Sequence, residues 1–430
     1  MWFLFYREEF LSTHGLLKPW VFFSHFGKGE IIMTHSLVSK MKKELSLIQP
    51  SDILKFDQEA SAIPGIIKLT IGEPDFNTPE HVKEAGKRSI DHNRSHYAPP
   101  NGTPELRQAI SRFLEKKYGL FYNADHEILV TAGATEAIYT VLTSILNPGD
   151  KVLMPTPIFP LYIPDTLLAK AEPVFMDTSD NGFVLSPELL EKTLAEHGDA
   201  VKAVIFNFPC NPTGVTYRRD QIEALANVLK KHDIFVICDD IYSELTYGER
   251  HISMAEYLPN QAIVINGASK SHAMTGWRIG FICAPAAIAT ELGKIHQFTI
   301  TSTATVAQDA ALEAFENGID DGVHMRAEYQ KRRDFVYEAM SKNGFDCVKP
   351  QGAFYLFAKI PAHMIQNSMD FSRDLAHKAK VAVIPGGSFG PGGEGYIRIS
   401  YAASMEQLQE AMRRIAHYVE TLKEQRSVQQ

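Results

Sequence analysis

The feature that most constrains the fold is a series of short runs in the middle of the chain that are apolar at consecutive positions, with polar residues only at or next to their ends. Between the runs lie segments of helical length, such as residues 134–146 and 219–231, in which apolar residues recur every three or four positions. Continuous apolar runs are typical of strands buried on both faces, as in parallel sheets covered by helices. The pattern therefore predicts an α/β fold with a mostly parallel sheet between helix layers. The runs are residues 127–131, 151–155, 203–208, 234–240, 262–267 and 280–284.

The pattern changes after about residue 320, where a long charged helical stretch is followed by short apolar runs and further helices. We predict a large domain over residues 76–320 and a smaller α+β domain over residues 321–430, with residues 33–75 as an N-terminal arm that packs with the smaller domain. In open α/β sheets, ligands bind outside the carboxyl ends of the strands. We therefore expect the site in the cleft between the two domains.

The first 32 residues differ from the rest of the chain. They begin with an apolar run, but Arg7, Glu8 and Glu9 interrupt it well before the ~20 residues that a membrane span needs, and no basic segment precedes it as in a signal peptide. Residues 28–30 can be encoded by a bacterial ribosome-binding sequence about eight nucleotides before the Met33 codon. We expect translation to start at Met33 and residues 1–32 to be a non-native leader, with a genuine extension as the alternative.

Charge and composition narrow the class of partner. The chain carries 43 Lys and Arg against 51 Asp and Glu, a net charge of -8, and has no dense basic run, which argues against binding of nucleic acid or an anionic membrane. Its four cysteines have no C-x-x-C spacing, which suits a reducing cytosol. His92 and His96 have helical spacing but no third ligand close in sequence, so no metal is expected. We expect a cytoplasmic protein with a small-molecule partner.

Polar side chains and small-residue turns directly follow the predicted strands. Gly133, after the first run, opens a predicted helix whose free backbone N–H groups are able to bind a phosphate. Asn211 lies in a double-proline turn after the third run, and Asp239 and Tyr242 lie at the end of the fourth. A carboxylate at the end of a buried strand is desolvated, so it either pairs with a cation or lowers stability.

The segment NGASKSHAMTGWRIG, which begins at the end of the fifth run, adds a lysine and an arginine. The Lys270 amine is able to form a Schiff base with an aldehyde, and Arg278 presents five fixed donors to an anion. A nucleophilic lysine, an anion-binding arginine, a phosphate-binding helix start, a buried carboxylate and a phenol together match what pyridoxal 5'-phosphate requires. We therefore expect this cofactor where the strands end.

With these motifs, residues 34–425 resemble the class I/II aminotransferases of fold type I. Within that family the chain is most similar to a Firmicute group that contains aromatic amino acid aminotransferases and N-acetyl-LL-diaminopimelate aminotransferases. The resemblance implies an enzyme that moves the α-amino group of an amino acid to a 2-oxo acid, such as 2-oxoglutarate, in a ping-pong reaction.

The resemblance also assigns roles to single residues. Lys270 would hold the cofactor and later move the proton at the substrate α-carbon, and Asp239 would keep the ring nitrogen protonated. Tyr242 and Asn211 would hydrogen-bond the ring oxygen, and Phe159 would stack on the ring.

The phosphate group would be held by the helix start, by Arg278 and by a tyrosine that in this family comes from the neighbouring subunit. The resemblance therefore implies a homodimer with shared sites. The residues that match these phosphate contacts are Gly133, Ala134, Thr135, Ser269, Arg278 and Tyr97.

Two positions match the residues that hold the substrate α-carboxylate in this family: Gly72, in LTIGEPDF, and Arg398, in YIRIS. A bidentate arginine–carboxylate pair would orient the substrate for removal of the α-proton. One position departs from the family pattern, because many relatives have a phosphate-binding serine where this chain has Gly267. We expect weaker retention of the cofactor, without loss of activity.

Several readings stay open at this point. An aromatic amino donor is expected from the resemblance, N-acetyl-LL-diaminopimelate is the alternative donor, and a carbon–sulfur β-lyase reaction would use the same residues. A transcription regulator built on this fold would need a DNA-binding module, which the short, non-basic leader does not supply. Residues 390–395 fit G-x-G-x-x-G but precede a strand, so no dinucleotide binding is expected. Residues 48–56 are expected to form part of the wall around the substrate side chain.

Overall fold

The computed structural model describes residues 37–427. The predicted leader, residues 1–32, and the predicted start at Met33 lie outside this part of the chain. Contacts set the residues up to Leu45 apart from one compact unit that begins at Ser46, and the sheets and the site described below belong to that unit. No helix within the described residues is long and apolar enough to cross a membrane.

The α-helices are numbered in chain order. Helices α1 to α7 span Asp52–Ser61, Glu80–Asp91, Pro104–Tyr118, Gly133–Ile145, Tyr162–Leu168, Pro187–His197 and Arg219–Leu229. Helices α8 to α13 span Ala268–Ser271, Ala286–Ile300, Thr305–Asn317, Gly322–Lys342, Ser368–Ala379 and Met405–Ser427. Short 3-10 helices span Lys43–Leu47, Ser179–Asn181, Gly198–Ala200, Ser243–Leu245, Met254–Glu256, Thr275–Trp277 and Gly386–Phe389.

Local sequence explains several helix ends, and α3 shows both kinds of signal. The Thr103 hydroxyl accepts a hydrogen bond from the Leu106 N–H (3.4 Å), and Pro104 occupies the first turn, where its missing N–H has no cost. Gly119 ends the helix in the left-handed conformation, at φ 72°.

The main sheet has seven strands in the order β2-β8-β7-β6-β5-β3-β4. Its neighbouring strands are all parallel except in the two pairs that involve β8. The prediction of an α/β fold with a mostly parallel sheet is thus confirmed, and each of the six apolar runs overlaps one strand of this sheet. Strands β1 to β8 span Ile67–Lys68, Ile128–Thr131, Lys151–Thr156, Glu172–Asp177, Val201–Asn207, Phe235–Asp239, Ala262–Gly267 and Gly280–Cys283.

The side chains of β5 show why consecutive positions in the runs are apolar. Val204 and Phe206 pack into one buried cluster, and Ala203 and Ile205 pack into another. Because successive side chains of a strand point to opposite faces, a strand with helices on both sides needs apolar residues throughout. The edge strand β4 buries only Met176, which is why the apolar pattern did not indicate it.

A second sheet is antiparallel and has four strands in the order β12-β13-β10-β9. Strand β1 forms a separate parallel pair with β11, with Ile67 opposite Val381. The domain boundaries predicted after residues 32, 75 and 320 stay a prediction. Strands β9 to β13 span Asp346–Cys347, Tyr355–Lys359, Val381–Ala382, Ile384–Pro385 and Tyr396–Ser400.

His81, in α2, connects three elements of the fold. Its Nδ1 lies 2.9 Å from the Glu313 carboxylate in α10, and its Nε2 lies 2.8 Å from the Asp321 carboxylate just before α11. Burial by itself lowers the pKa of His81, but the hydrogen bonds to both carboxylates outweigh it and raise the pKa on balance. The imidazole therefore ties α2 to α10 and, through Asp321, to the start of α11, most strongly when it is protonated.

Candidate active site

The carboxyl ends of β2, β5, β6 and β7 meet at one edge of the main sheet. Strand β8 runs in the opposite direction, so its first residue, Gly280, lies at the same edge, opposite both Thr131 at the end of β2 and Gly267 at the end of β7. Arg278, which precedes β8, therefore reaches the residues that follow β2 and β7. This is the edge where open α/β sheets bind ligands.

A cleft of about 490 Å3 opens at this edge and brings together most of the residues predicted from the sequence. Gly133 lies beside the cleft, against Arg278. Tyr97 does not reach it in this chain: it is 87% exposed and lines a separate surface pocket with Thr305. The predicted residues that line the cleft are Gly72, Ala134, Thr135, Phe159, Asn211, Asp239, Tyr242, Ser269, Lys270, Arg278 and Arg398.

Lys270 lies in the four-residue helix α8 and extends toward the N-terminal segment of the chain. Its Nζ donates to the Gly72 carbonyl at 2.6 Å. The side chain is partly exposed to the cleft, but protein atoms surround the amine. This burial lowers the pKa of Lys270 to about 8, against the opposing effect of Glu73 and with a further contribution from Arg278. About a tenth of the amine is therefore a neutral nucleophile at pH 7, far more than for a lysine with its ordinary pKa.

Asp239, the last residue of β6, is a buried carboxylate (3% exposed) that forms no ion pair with any residue among 37–427. The Tyr162 hydroxyl donates to its Oδ2 at 2.6 Å, and the Ile241 N–H donates to its Oδ1 at 3.3 Å. Burial raises the pKa of Asp239 to about 6 in spite of both hydrogen bonds. A protonated ring nitrogen would supply the cation that this carboxylate lacks.

Tyr242 and Asn211 are held by two other residues of the cleft. The Tyr242 hydroxyl lies 2.7 Å from the Tyr355 hydroxyl, and both residues are buried. The Asn211 Oδ1 accepts a hydrogen bond from the Arg398 Nη1 at 2.9 Å, which leaves the Asn211 amide N–H groups free to donate to a bound group.

The turn after β2 and the segment before β8 together form an anion site. Gly133 begins α4 with φ +79°, and a Cβ there would lie 2.5 Å from the Arg278 Nη2, so only glycine lets the guanidinium approach this helix start. Arg278 itself has φ +54°, and its Nη1 donates to the Thr275 carbonyl at 2.9 Å. The guanidinium beside unpaired N–H groups is chemically suited to a phosphate.

Arg398, in β13, is a buried cation (2% exposed) without a carboxylate partner among residues 37–427. Its Nη1 donates to Asn211 and its Nη2 to the Thr70 carbonyl at 2.6 Å, while its buried Nε has no hydrogen-bond partner within the same part of the chain. The guanidinium is stacked against the rings of Tyr355 (4.5 Å) and Phe389 (5.0 Å). An uncompensated buried cation costs stability until an anion binds, and the cleft is open to one.

The structure gives a steric reason why residue 267 is glycine, which the sequence alone did not indicate. A Cβ at this position would lie 2.6 Å from the Ile279 carbonyl oxygen and 2.8 Å from the Gly280 Cα. Serine therefore does not fit unless β7 and β8 move apart. The expected weaker retention of the cofactor stays a prediction.

Two residues of the site were missed by the sequence analysis. Tyr162 comes three residues after Phe159, at the same sheet edge, and this spacing after the second apolar run was the available signal. Tyr355 lies in a strand of the second sheet, and nothing in the sequence indicates that this sheet places it against Tyr242.

The site fits pyridoxal 5'-phosphate on three independent observations. The pKa of the Lys270 amine is lowered, Asp239 is a buried carboxylate in need of a cation, and a glycine-lined helix start faces Arg278. The G-x-G-x-x-G segment at residues 390–395 leads into β13 and not into a helix, so it lacks the geometry of a dinucleotide-binding turn.

Comparison with known proteins gives the family. The family model described as "Aminotransferase class I and II" matches residues 64–415. A Bacillus subtilis protein named "Probable N-acetyl-LL-diaminopimelate aminotransferase" is 46% identical over 387 residues, which is 90% of this chain and 96% of the relative. An aspartate aminotransferase of Pyrococcus abyssi is 40% identical over 87% of this chain and 97% of its own length.

Solved structures agree with this result. An aromatic aminotransferase from Pyrococcus horikoshii is 38% identical, with a TM-score of 0.80 over 86% of this chain and 99% of that one. An aspartate aminotransferase from Thermus thermophilus with maleate is 34% identical, with a TM-score of 0.83 over 88% of this chain and 99% of that one. The chain therefore belongs to the class I and II aminotransferases and is a pyridoxal-phosphate-dependent transaminase of fold type I.

Proposed function

We propose that the amino donor is an aromatic amino acid and that the acceptor is a 2-oxo acid such as 2-oxoglutarate. The observation that carries this proposal is a group of large apolar side chains that line the cleft and that we call the apolar wall. An apolar wall favours an aromatic side chain because it loses contact with water on binding. The wall is formed by Ile53, Leu54, Ile71, Phe159 and Leu161.

The N-terminal part of this wall belongs to α1, which hydrogen bonds hold against β1. Asp57 accepts from the Thr70 hydroxyl and, at 3.1 Å, from the Lys68 Nζ. Ile53 and Leu54, one turn before Asp57, line the cleft, and Leu54 is 71% exposed. These two residues lie within the segment 48–56 that the sequence indicated for this wall.

The roles of the site residues follow from their contacts. When bound, pyridoxal phosphate supplies an aldehyde that takes the amino group and a ring that withdraws electrons from the substrate α-carbon. Lys270 would hold the aldehyde, and its amine, once the substrate amine has replaced it, would move the proton at the α-carbon. Asp239 would keep the ring nitrogen protonated, Tyr242 and Asn211 would donate to the ring oxygen, and Phe159 would stack on the ring.

The phosphate would bind at the start of α4, at Gly133, Ala134 and Thr135, together with Ser269 and Arg278. We propose that Tyr97 completes this site on the neighbouring copy of a homodimer. Its exposed side chain, distant from the cleft of its own chain, supports the proposal. We also propose that the protein works in the cytoplasm.

The substrate α-carboxylate would bind Arg398, whose stacked guanidinium needs an anion. The Gly72 backbone N–H would help to hold it. The Gly72 carbonyl accepts from the Lys270 amine, which places this backbone beside the reacting atoms. This pair of contacts would orient the α-hydrogen toward the amine of Lys270.

N-acetyl-LL-diaminopimelate is the second candidate donor, because the relative with that name is 46% identical to this chain. Its second carboxylate would need a further cation. Among the described residues that line the cleft, the cations are Lys270, Arg278 and Arg398, and each has a role in the scheme above. Because no further cation lines the cleft among the described residues, while the apolar wall does, the cleft favours the aromatic donor.

The test is the visible absorbance of the cofactor-loaded protein while Phe, Tyr, Asp, Glu and N-acetyl-LL-diaminopimelate are added one at a time without an oxo acid. Loss of the band with Phe or Tyr, and its return with 2-oxoglutarate, is the expected result. A response to the diaminopimelate derivative alone would replace the aromatic proposal. Release of ammonia and pyruvate from cystathionine without an oxo acid would instead identify a β-lyase.

A variant tests the wall directly. Leu54→Ala should raise the KM for Phe about three- to tenfold, by analogy with loss of buried apolar contact, and leave that for Asp unchanged. Phe121→Ala is the matched control, because Phe121 is an exposed apolar residue (70%) that does not line the cleft. Equal effects of Leu54→Ala on both donors would contradict the placement of the side chain against this wall.

A further inference from the structure

The hydrogen bond between Tyr242 and Tyr355 joins the two sheets at the cleft. Tyr242 follows β6 of the main sheet, and Tyr355 begins β10 of the second sheet. The two hydroxyl oxygens are 2.7 Å apart, and neither forms another hydrogen bond within residues 37–427. Both side chains line the cleft.

The number of protons in this pair limits what each hydroxyl can do. Burial raises the pKa of both phenols, so each carries its proton at neutral pH. One hydrogen bond uses one of the two protons, and the other proton points elsewhere. The direction of the bond therefore decides which tyrosine is left with a free proton to donate.

The surroundings favour Tyr355 as the donor. Its ring lies 4.5 Å from the Arg398 guanidinium, and a nearby cation makes a phenol a stronger donor and a weaker acceptor. Its hydroxyl also lies 2.8 Å from the position that a Cβ on Gly72 would occupy, so backbone packs closely against it. The Gly72 carbonyl accepts from the Lys270 amine and not from the Tyr355 hydroxyl, whose hydrogen bond is the one with Tyr242.

We propose that Tyr355 is a positioning residue that donates its hydroxyl proton to Tyr242 and so directs the Tyr242 proton into the cleft, toward the ring oxygen of the cofactor. The inference rests on the proposed contact of Tyr242 with that oxygen. The other charged groups that face the pair are Arg398 on β13, Lys270, whose amine lies 5.8 Å from the Tyr242 ring centre, and Asp239 at the end of β6.

Removal of the Tyr355 hydroxyl should weaken donation by Tyr242. A donor on the ring oxygen would stabilise the form of the bound cofactor that has lost its proton at the Lys270 nitrogen, so a weaker donor would let that proton remain bound to a higher pH. We expect the pH midpoint of the visible absorbance band to rise by about 0.5–1 unit in Tyr355→Phe, in line with the usual strength of one hydrogen bond.

The experiment is a pH titration of the visible band in the cofactor-loaded wild type, Tyr355→Phe, Tyr242→Phe and the double variant. Tyr401→Phe is the matched control: Tyr401 is also fully buried, and its hydroxyl contacts Tyr247 and the Ala353 carbonyl, away from the cleft. We expect the pH midpoint of the band to rise in Tyr355→Phe, to rise further in Tyr242→Phe, and to stay at the wild-type value in the control. The double variant should have the same midpoint as Tyr242→Phe.

The outcomes separate the two claims. No shift in Tyr242→Phe would overturn its proposed contact with the ring oxygen, and the role of Tyr355 with it. A shift in Tyr242→Phe but none in Tyr355→Phe, or shifts that add in the double variant, would overturn the role of Tyr355 alone. Thermal unfolding of each variant, expected to stay within a few degrees of wild type, shows that the midpoints are compared between folded proteins.

Discussion

The pH dependence of cofactor capture should report the environment of Lys270. Only the neutral amine attacks an aldehyde, so the rate at which the apoprotein takes up pyridoxal phosphate follows the neutral fraction of this lysine. Its buried position lowers the pKa to about 8. The neutral fraction then rises from about 9% at pH 7 to about 91% at pH 9, a roughly tenfold increase that levels off. A lysine with its ordinary pKa would gain about a hundredfold over the same range without levelling off.

The measurement is stopped-flow absorbance of the visible band after the apoprotein is mixed with excess pyridoxal phosphate, at half-unit steps from pH 7 to pH 10. The phosphate of the cofactor is already doubly ionised in this range, since its second pKa is about 6. Dividing the rate for the protein by the rate for a model amine at each pH removes the effect of the cofactor's other ionisations. Acetyl-lysine amide, treated in the same way, gives the profile of an unperturbed amine. A rate that still rises tenfold per unit between pH 9 and pH 10 would refute the argument from burial.

Three further outcomes are expected. Arg398→Lys keeps the charge but loses the bidentate contact, so kcat/KM for the amino donor should fall about ten- to hundredfold while the affinity for the cofactor stays the same. An equal loss in both quantities would contradict the proposal that Arg398 binds the substrate α-carboxylate. His81→Gln should lower the unfolding free energy by about 0.5 kcal/mol at pH 6 and have little effect at pH 8.5. The reason is that the stability from a raised histidine pKa is present below about 6.5 and is lost as the pH rises through the raised value. Urea unfolding at the two pH values checks this, and equal losses at both would contradict it. Gly267→Ser should lower the unfolding free energy by about 1–3 kcal/mol, because the serine Cβ meets the Ile279 carbonyl. The variant should not lose cofactor more slowly on dialysis than wild type. Slower loss in a variant that is as stable as wild type would contradict the steric argument.

The main sheet could be predicted from the sequence because its strands are buried on both faces. In the run at residues 203–208 every position except Asn207 is apolar, since β5 has packed side chains on each side. The residues after such strands necessarily lie at one edge. The convergence of Asn211, Asp239 and Lys270 therefore followed from the order of strands and turns along the chain.

The rest of the cleft depends on contacts that have no local pattern. Tyr355 and Arg398 lie on strands of the second sheet, and the packing of that sheet against the main one determines which of their neighbours they meet. Leu54 lies on a short helix whose placement depends on the contacts of Asp57 with β1. Strand β4 escaped the apolar pattern because an edge strand needs few buried residues.

The antiparallel strand β8 has a consequence for how the protein is made. Within the main sheet, β2 pairs with β8 alone, and β8 leaves the ribosome about 150 residues later. At a synthesis rate of about 5–20 residues per second, the nascent β2 waits about 7–30 s for its partner, with backbone N–H and C=O groups unpaired on the edge that β8 later covers. Arg278 directly precedes β8, so a chain that stalls after Lys270 but before Arg278 carries the lysine without a complete phosphate site. Cofactor bound during synthesis would therefore mark those chains that have inserted β8 between β2 and β7.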